Sequence, residues 1–338
     1  MSDVSTDAAT DIGSGEIDAA VGLDLMGRML RIRKFEERSQ VLAGAGEFPG
    51  VVHLYIGQEA VAGGVTAALR DDDYITSTHR GHGHIVAKGG ELARCMAELF
   101  GRETGYCGGK GGSMHIADME LGIIGANGIV GAGIPIATGA ALSAQMRGTD
   151  QVSVSFFGDG AANEGTLHES LNLAALWSLP VVFVCENNGY SELTRTEVVT
   201  AGDISRRGEA FGVPGVRIDG NDAFAVAATA REAVARARAG DGPTLIEAMT
   251  YRIRNHAEGL EKAFPDSQPE DEIESWRERC PIDRHRKVLL AAGVSSDDIA
   301  ALESEIGTEI DAAVEFARAS DVPDPSTAFK DVWKEAVA

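Results

Sequence analysis

The sequence predicts a doubly wound α/β protein: a mostly parallel sheet with flanking helices, followed by a C-terminal helical extension. Three observations carry that expectation. Between Gln151 and Tyr251, short β-branched runs alternate with stretches of helical apolar spacing, the pattern of strands joined by crossover helices. A strand-like run, QVSVS (Gln151–Ser155), leads into Phe156–Gly165, FFGDGAANEG, and then into TLHESLNLAALW, so a strand enters a glycine turn that opens a helix. The chain shows no internal repeat, and one sheet accounts for its length of 338 residues.

In chain order, residues 1–16 are polar and acidic and read as a mobile arm. From Ile17 to Ala43, apolar Leu23, Met26, Leu30 and Phe35 predict an amphipathic helix, ended by GAGEFPG. GQEAVAGGVTAALR predicts a helix, DDDYITSTH a turn and short strand, and Glu91–Phe100 another helix. The glycine-dense stretch Gly101–Gly133 has no clear periodicity, and a loop that long inside a compact domain usually serves function. Then IPIATGAALSAQMR reads as helix, QVSVSFF as strand, TLHESLNLAALW as helix and PVVFVCE as strand. DISRRGEAFG reads as helix, VRIDG as strand, AFAVAATAREAVARARAG as helix and TLIEAMTY as strand. An irregular charged stretch, His256–Asp271, precedes two or three helices. The expected division is an arm (1–16), an α/β domain (17–265) and the helical extension (266–338).

A net charge of −22 argues against nucleic acid and against an anionic membrane surface as partners, because phosphate contacts need clustered Lys and Arg. No apolar run approaches the roughly 20 residues of a spanning helix, and the start lacks a signal-peptide pattern. Four widely spaced cysteines form neither a disulfide framework nor a zinc pattern. These features lead to the expectation of a cytoplasmic protein.

An aspartate at the tip of a strand–glycine–helix junction is a puzzle. Such junctions suit phosphates through free N–H groups and the helix dipole, and Asp159 would repel a phosphate unless a cation lay between them. The next strand ends at Asn187-Asn188-Gly189-Tyr190, with 28 residues separating Asp159 from Asn187. Two neighbouring carboxyl ends can present a carboxylate and an amide oxygen to one Mg²⁺, which favours oxygen ligands and substrate phosphates. Either turn alone is an ordinary tight turn; the combination is far more specific. Lys110 in GGKGGS fails as a P-loop because Thr104 stands where that motif needs glycine, and GDGAAN fails as a dinucleotide fingerprint at Asn163. His168 and Trp177 read as packing residues.

With these residues in view, the chain resembles the α subunits of the thiamine diphosphate-dependent first component of 2-oxo acid dehydrogenase-type complexes. The resemblance runs from about Glu36 to Ala257 and rests on HLYIGQEA, STHRGHGH, GKGGSMHIAD, GANGIVGAGIP, FFGDGAANEG and ENNGY. It implies a thiamine diphosphate-binding fold. It also implies Mg²⁺ held by Asp159, Asn188 and the backbone carbonyl of Tyr190, with Gly160 and Ala161 on the diphosphate through their backbone. Gly128 and Val130 would meet the aminopyrimidine end, and Arg80 and Arg252 the diphosphate. His256 would lie near the reacting centre and His82 near the substrate, as proton donor or binder of charge on the carbonyl oxygen. His79, standing where relatives often have tyrosine, would contact the cofactor.

The resemblance further implies a separate β subunit that supplies the glutamate activating the aminopyrimidine, in an assembly of two α and two β chains. A lipoyl-bearing dihydrolipoyl acyltransferase would be a further partner and a small carbonyl compound the substrate. Within the family, Ala257 occupies the place of a serine that is phosphorylated in animal enzymes, and His256-x-Glu258-Gly259 resembles acetoin dehydrogenase α subunits. A pyruvate or branched-chain 2-oxo acid enzyme, or a related carboligase, is the alternative. Asn255 and the charged insert after Glu258 depart from both patterns.

Overall fold

The computed structural model describes residues 18–258 and 268–330. The expected acidic arm, and the expected boundary between residues 265 and 266, lie outside the described residues.

Alternation along three strands divides the interior into two cores. In β3 (Ser153–Gly158), β4 (Val181–Asn187) and β8 (Thr244–Met249), side chains point alternately to opposite faces. Val154, Phe156, Val182, Val184, Ile246 and Ala248 join one apolar cluster, whereas Phe157, Val181, Phe183, Cys185 and Leu245 join the other. Both faces being apolar, these strands read as continuous hydrophobic runs, as expected of a parallel sheet covered on both sides. β1 (Tyr74–Thr76), β2 (Ile123–Gly125) and β7 (Gly215–Asp219) complete six strands in the order β2-β1-β3-β4-β8-β7, all neighbours parallel.

Helices cover both faces. α1 (Ala19–Gly44), α2 (Glu59–Thr66) and α8 (Ala223–Arg238) pack on the first core, α1 and α8 being started by the carboxylates of Asp18 and Asp222 as caps. α5 (Gly133–Arg147) and α6 (Gly165–Leu176) pack on the second through Ile134, Ala137, Leu167 and Leu171. The short α3 (His82–Ala87), absent from the sequence expectation, and α4 (Leu92–Leu99) follow β1. A hairpin, β5 (Tyr190–Ser191) and β6 (Thr194–Arg195), leads into the single turn α7 (Thr196–Val199). DISRRGEAFG forms a 3₁₀ helix, Ile204–Phe211. The C-terminal helices are α9 (Glu270–Arg277), α10 (Pro281–Ala291) and α11 (Ser296–Ala319); Leu289, Ile299, Ile306 and Ile310 share the first core with α1 and α4.

The glycine-dense stretch is ordered around one carboxylate. Glu98, fully buried on α4, accepts backbone N–H bonds from Cys107 and Gly109 on one oxygen (2.8 and 3.0 Å) and from Gly111 and Gly112 on the other (2.8 and 3.0 Å). Gly109 has φ +74°, and a Cβ there would meet the Gly101 carbonyl carbon at 2.5 Å, so only glycine fits. Glu98→Ala would leave four amides without their acceptor. It is expected to cost on the order of 3–5 kcal/mol, lowering the melting temperature by about 10 °C, with protease cleavage between residues 101 and 112. An unchanged melt with no new cleavage would contradict this account of the loop.

Candidate active site

From β1 the chain runs outward to β2 on one side and later returns to β3 on the other. That reversal is the switch point at which doubly wound sheets bind ligands, beyond the strands' carboxyl ends. A cavity of about 300 Å³ opens there, walled by the segments following β1, β3 and β4. Of the residues expected in the site, His79, Arg80, Gly128, Val130, Asp159, Gly160, Ala161, Asn188, Tyr190, Arg252 and His256 all line it.

Beyond β3 the glycine turn does not open α6 directly, as the sequence suggested. A 3₁₀ turn, Ala161–Asn163, intervenes before α6 starts at Gly165. Gly160 has ordinary φ but no room: a Cβ would lie 2.3 Å from the Ser191 hydroxyl, so glycine is what lets the β5–β6 hairpin close on the turn. Asp159 is 1% exposed and takes a hydrogen bond from the Thr196 hydroxyl. Burial pushes its pKa up, only partly opposed by Thr196 and backbone donors. Asn188 donates from Nδ2 to Gln58 Oε1 (3.0 Å), and its Oδ1 accepts from the Tyr190 N–H (3.1 Å). The Tyr190 side chain is committed elsewhere: its hydroxyl donates to Glu272 (2.8 Å) and its ring packs edge-on against Tyr251. Only its backbone is left to serve the cavity.

Two buried arginines, Arg80 and Arg252, line the same cavity. Arg80 donates to the carbonyls of Leu54 (2.6 Å) and His256 (3.1 Å), and among the described residues it has no carboxylate partner. Burial, with Arg252 close by, draws its pKa down to about 9. Arg252 donates to the carbonyl of Glu192 (2.9 Å), a residue held at φ +55° at the hairpin tip; such strain in a non-glycine residue clusters at ligand sites. A third group was not singled out from the sequence. His53, His79 and His256 pack ring to ring with centroids 4.8 to 5.2 Å apart. His53 Nδ1 lies 2.7 Å from the His256 carbonyl. Burial and the nearby arginine charges depress the three pKa values, to about 4 for His53, about 2 for His79 and about 3 for His256, so all three rings are neutral at pH 7.

His82 stands apart from the other expected residues. It is 1% exposed and does not line the cavity; its Nδ1 pairs with Glu36 (3.0 Å) and its Nε2 with the Ser113 hydroxyl (2.9 Å). With both ring nitrogens engaged, it ties the glycine-dense stretch to α1. His84 turns away again, stacking on Phe156 and bridging Ser77 (2.7 Å) and Glu186 (3.0 Å). His82 and His84, two apart on α3, cannot share a face, and His79 lies before the helix, so the three histidines of THRGHGH separate. His168 and Trp177 are exposed rather than packed.

A family model described as "Dehydrogenase E1 component" matches residues 27–326. The chain belongs to the dehydrogenase E1 component family. The α subunit of acetoin:2,6-dichlorophenolindophenol oxidoreductase from Bacillus subtilis is 50% identical over 307 residues, covering 90% of this chain and 91% of that one. The protein of the same name from Cupriavidus necator is 45% identical over 327 residues, covering 96% and 98%. The pyruvate dehydrogenase E1 component subunit alpha of Rhizobium meliloti is 41% identical over 307 residues, covering 90% and 87%.

E1 membership implies thiamine diphosphate as cofactor, and similarity to α subunits implies a β partner. The cavity fits such a group. Arg80 has a cation to offer an anion, Asp159 is a buried carboxylate short of counter-charge, and Gln58 Nε2 is a buried donor without a partner among the described residues. No described helix is long and apolar enough to cross a membrane.

Proposed function

We propose that this chain is the α subunit of a Mg²⁺-requiring, thiamine diphosphate-dependent dehydrogenase that cleaves acetoin. The reaction yields acetaldehyde and a two-carbon unit that is oxidised to acetyl as it passes to the disulfide of a lipoyl group on a dihydrolipoyl acyltransferase; with an artificial oxidant the dye takes the two electrons and the acetyl group is released to water as acetate. The assembly is two α and two β chains in the cytoplasm. The observation that carries the substrate is the likeness, over nine-tenths of the chain or more, to two proteins named for acetoin. The pyruvate dehydrogenase α relatives support the alternative, oxidative decarboxylation of a 2-oxo acid by the same cofactor.

In this reading Asp159, Asn188 Oδ1 and the Tyr190 carbonyl hold Mg²⁺, and the backbone of Gly160 and Ala161 with Arg80 and Arg252 holds the diphosphate. The backbone of Gly128 and Val130 meets the aminopyrimidine end, and His79 lies against the cofactor. When bound, thiamine diphosphate supplies a nucleophilic carbon and an electron sink. The chain's own part is binding, orientation and proton handling. Asn188 is turned by Gln58 so that its oxygen, not its NH₂, is available. His256 is neutral and suited to accept the hydroxyl proton of acetoin as the bond between the hydroxyl-bearing and carbonyl carbons breaks. His82 orients the loop leading to Gly128 and Val130.

The test is a product balance on the purified α–β complex with cofactor, Mg²⁺ and a dye. One acetaldehyde should appear for each acetoin consumed and each two-electron equivalent of dye reduced. Acetoin consumed without acetaldehyde would exclude this cleavage.

A further inference from the structure

We propose that His53, His79 and His256 form a binding site for a borderline divalent cation, Zn²⁺ foremost, separate from the oxygen-ligand site at Asp159 and Asn188. One ring nitrogen from each of the three lies within 4.8 Å of the others. The residues come from three segments that the fold pins together. His79 follows β1, and His256 lies in a segment bridged to the neighbourhood of His53 by Val52 and Glu258 (Glu258 N–H to Val52 carbonyl, 2.9 Å). A tetrahedral Zn²⁺ with bonds of about 2.0–2.1 Å needs nitrogens about 3.3–3.4 Å apart. Closing the present spacing takes about 1 Å of side-chain rotation.

A second observation points to a ligand. His53 Nδ1 is 2.7 Å from the His256 carbonyl oxygen. A carbonyl only accepts, so Nδ1 carries the proton and Nε2 is left with its lone pair. Donation from the second ring nitrogen to a carbonyl is the usual support of a metal-bound histidine. Burial keeps the rings unprotonated, in the form that ligates. Three imidazoles without a carboxylate select Zn²⁺, Cu²⁺ or Co²⁺ over Mg²⁺, which prefers oxygen. Arg80 and Arg252 line the same cavity and repel a dication, so the site binds more tightly once an anion occupies the cavity beside them. Three protein ligands leave a fourth position open, and, resting on the proposed role of His256 as proton acceptor, a metal that takes its lone pair removes that role. Occupancy is therefore inhibitory and is relieved by a chelator.

The experiment is Co²⁺ titration of the α–β complex, loaded with thiamine diphosphate and Mg²⁺, followed by visible d–d absorption. Expected are a single site per α chain with the spectrum of low-coordinate imidazole ligation, displacement by Zn²⁺ but not by excess Mg²⁺, and loss of affinity of about tenfold or more in both His79→Phe and His53→Gln. Exposed His168 provides the control: His168→Gln should bind as the parent does. Either ligand variant that folds decides the matter. Absence of the band in the parent complex, displacement by Mg²⁺, or parental affinity in a folded ligand variant would overturn the proposal.

Discussion

Asp159→Asn is expected to abolish Mg²⁺-dependent binding of thiamine diphosphate while leaving the cofactor-free chain at least as heat-stable as the parent. The two effects have opposite signs for one physical reason. Asp159 is 1% exposed, and burial raises its pKa above the ordinary carboxylate value. A carboxyl whose folded pKa is raised favours folding below its unfolded pKa, and that contribution is lost as pH rises through the folded value. Above its folded pKa the ionised group is therefore a liability of the cation-free fold, and the isosteric amide relieves it while still able to accept from Thr196. A bound cation reverses the balance, because the carboxylate then faces its counter-charge. Removing one partner of such a buried pair costs about 3–5 kcal/mol, or roughly 10²- to 10⁴-fold in affinity. Calorimetric titration with cofactor and Mg²⁺, beside a melt of each cofactor-free protein, measures both. Parental affinity in Asp159→Asn would remove the aspartate from the metal site.

The second large effect is expected in the isolated chain: no turnover above about one-thousandth of the complex rate, restored by adding the β subunit. Activating the aminopyrimidine needs a carboxylic acid hydrogen-bonded to it, and a positioned acid–base group is worth about 10²- to 10⁴-fold. Among the carboxylates lining the cavity, Asp159 holds the cation in the proposed reading and Glu186 receives the Tyr55 hydroxyl and pairs with His84, while Glu192 sits at the strained hairpin tip. Exposed apolar side chains at the cavity rim and on α5 and α6 are in keeping with a partner. Ile129 is 71% exposed at the rim, Met146 is 79% exposed at the end of α5, and Leu176 is 70% exposed at the end of α6. Single exposed apolar residues are commonplace, but several on neighbouring elements mark an interaction face. Turnover by rigorously β-free chain would contradict the division of labour.

The sheet was legible because β3, β4 and β8 are covered on both faces and so print as short β-branched and aromatic runs, and the crossover helices print their own spacing between them. The Asp159 and Asn188 turns were legible because consecutive parallel strands place their carboxyl ends side by side. What depends on distant partners was not. β2 is three residues inside a glycine-rich stretch whose organiser, Glu98, precedes it in α4. His82 stands two positions from His84 in the sequence, and nothing local says that one reaches Glu36 on α1 and the other Glu186 on β4. The histidines that do converge, His53, His79 and His256, are separated by 26 and 177 residues, so no spacing rule brings them together. His168 and Trp177 fit a helix's apolar spacing, and periodicity does not distinguish a face covered by the chain's own core from one left for a neighbour.

The most direct measurement of the central claim is dye reduction by the purified α–β complex with saturating thiamine diphosphate and Mg²⁺, comparing kcat/KM for acetoin, pyruvate and branched 2-oxo acids. If the chain cleaves acetoin as proposed, it is expected to favour that neutral hydroxyketone by about 10²-fold or more. Equal or greater kcat/KM for a 2-oxo acid would contradict acetoin as the preferred substrate and favour oxidative decarboxylation with the same cofactor.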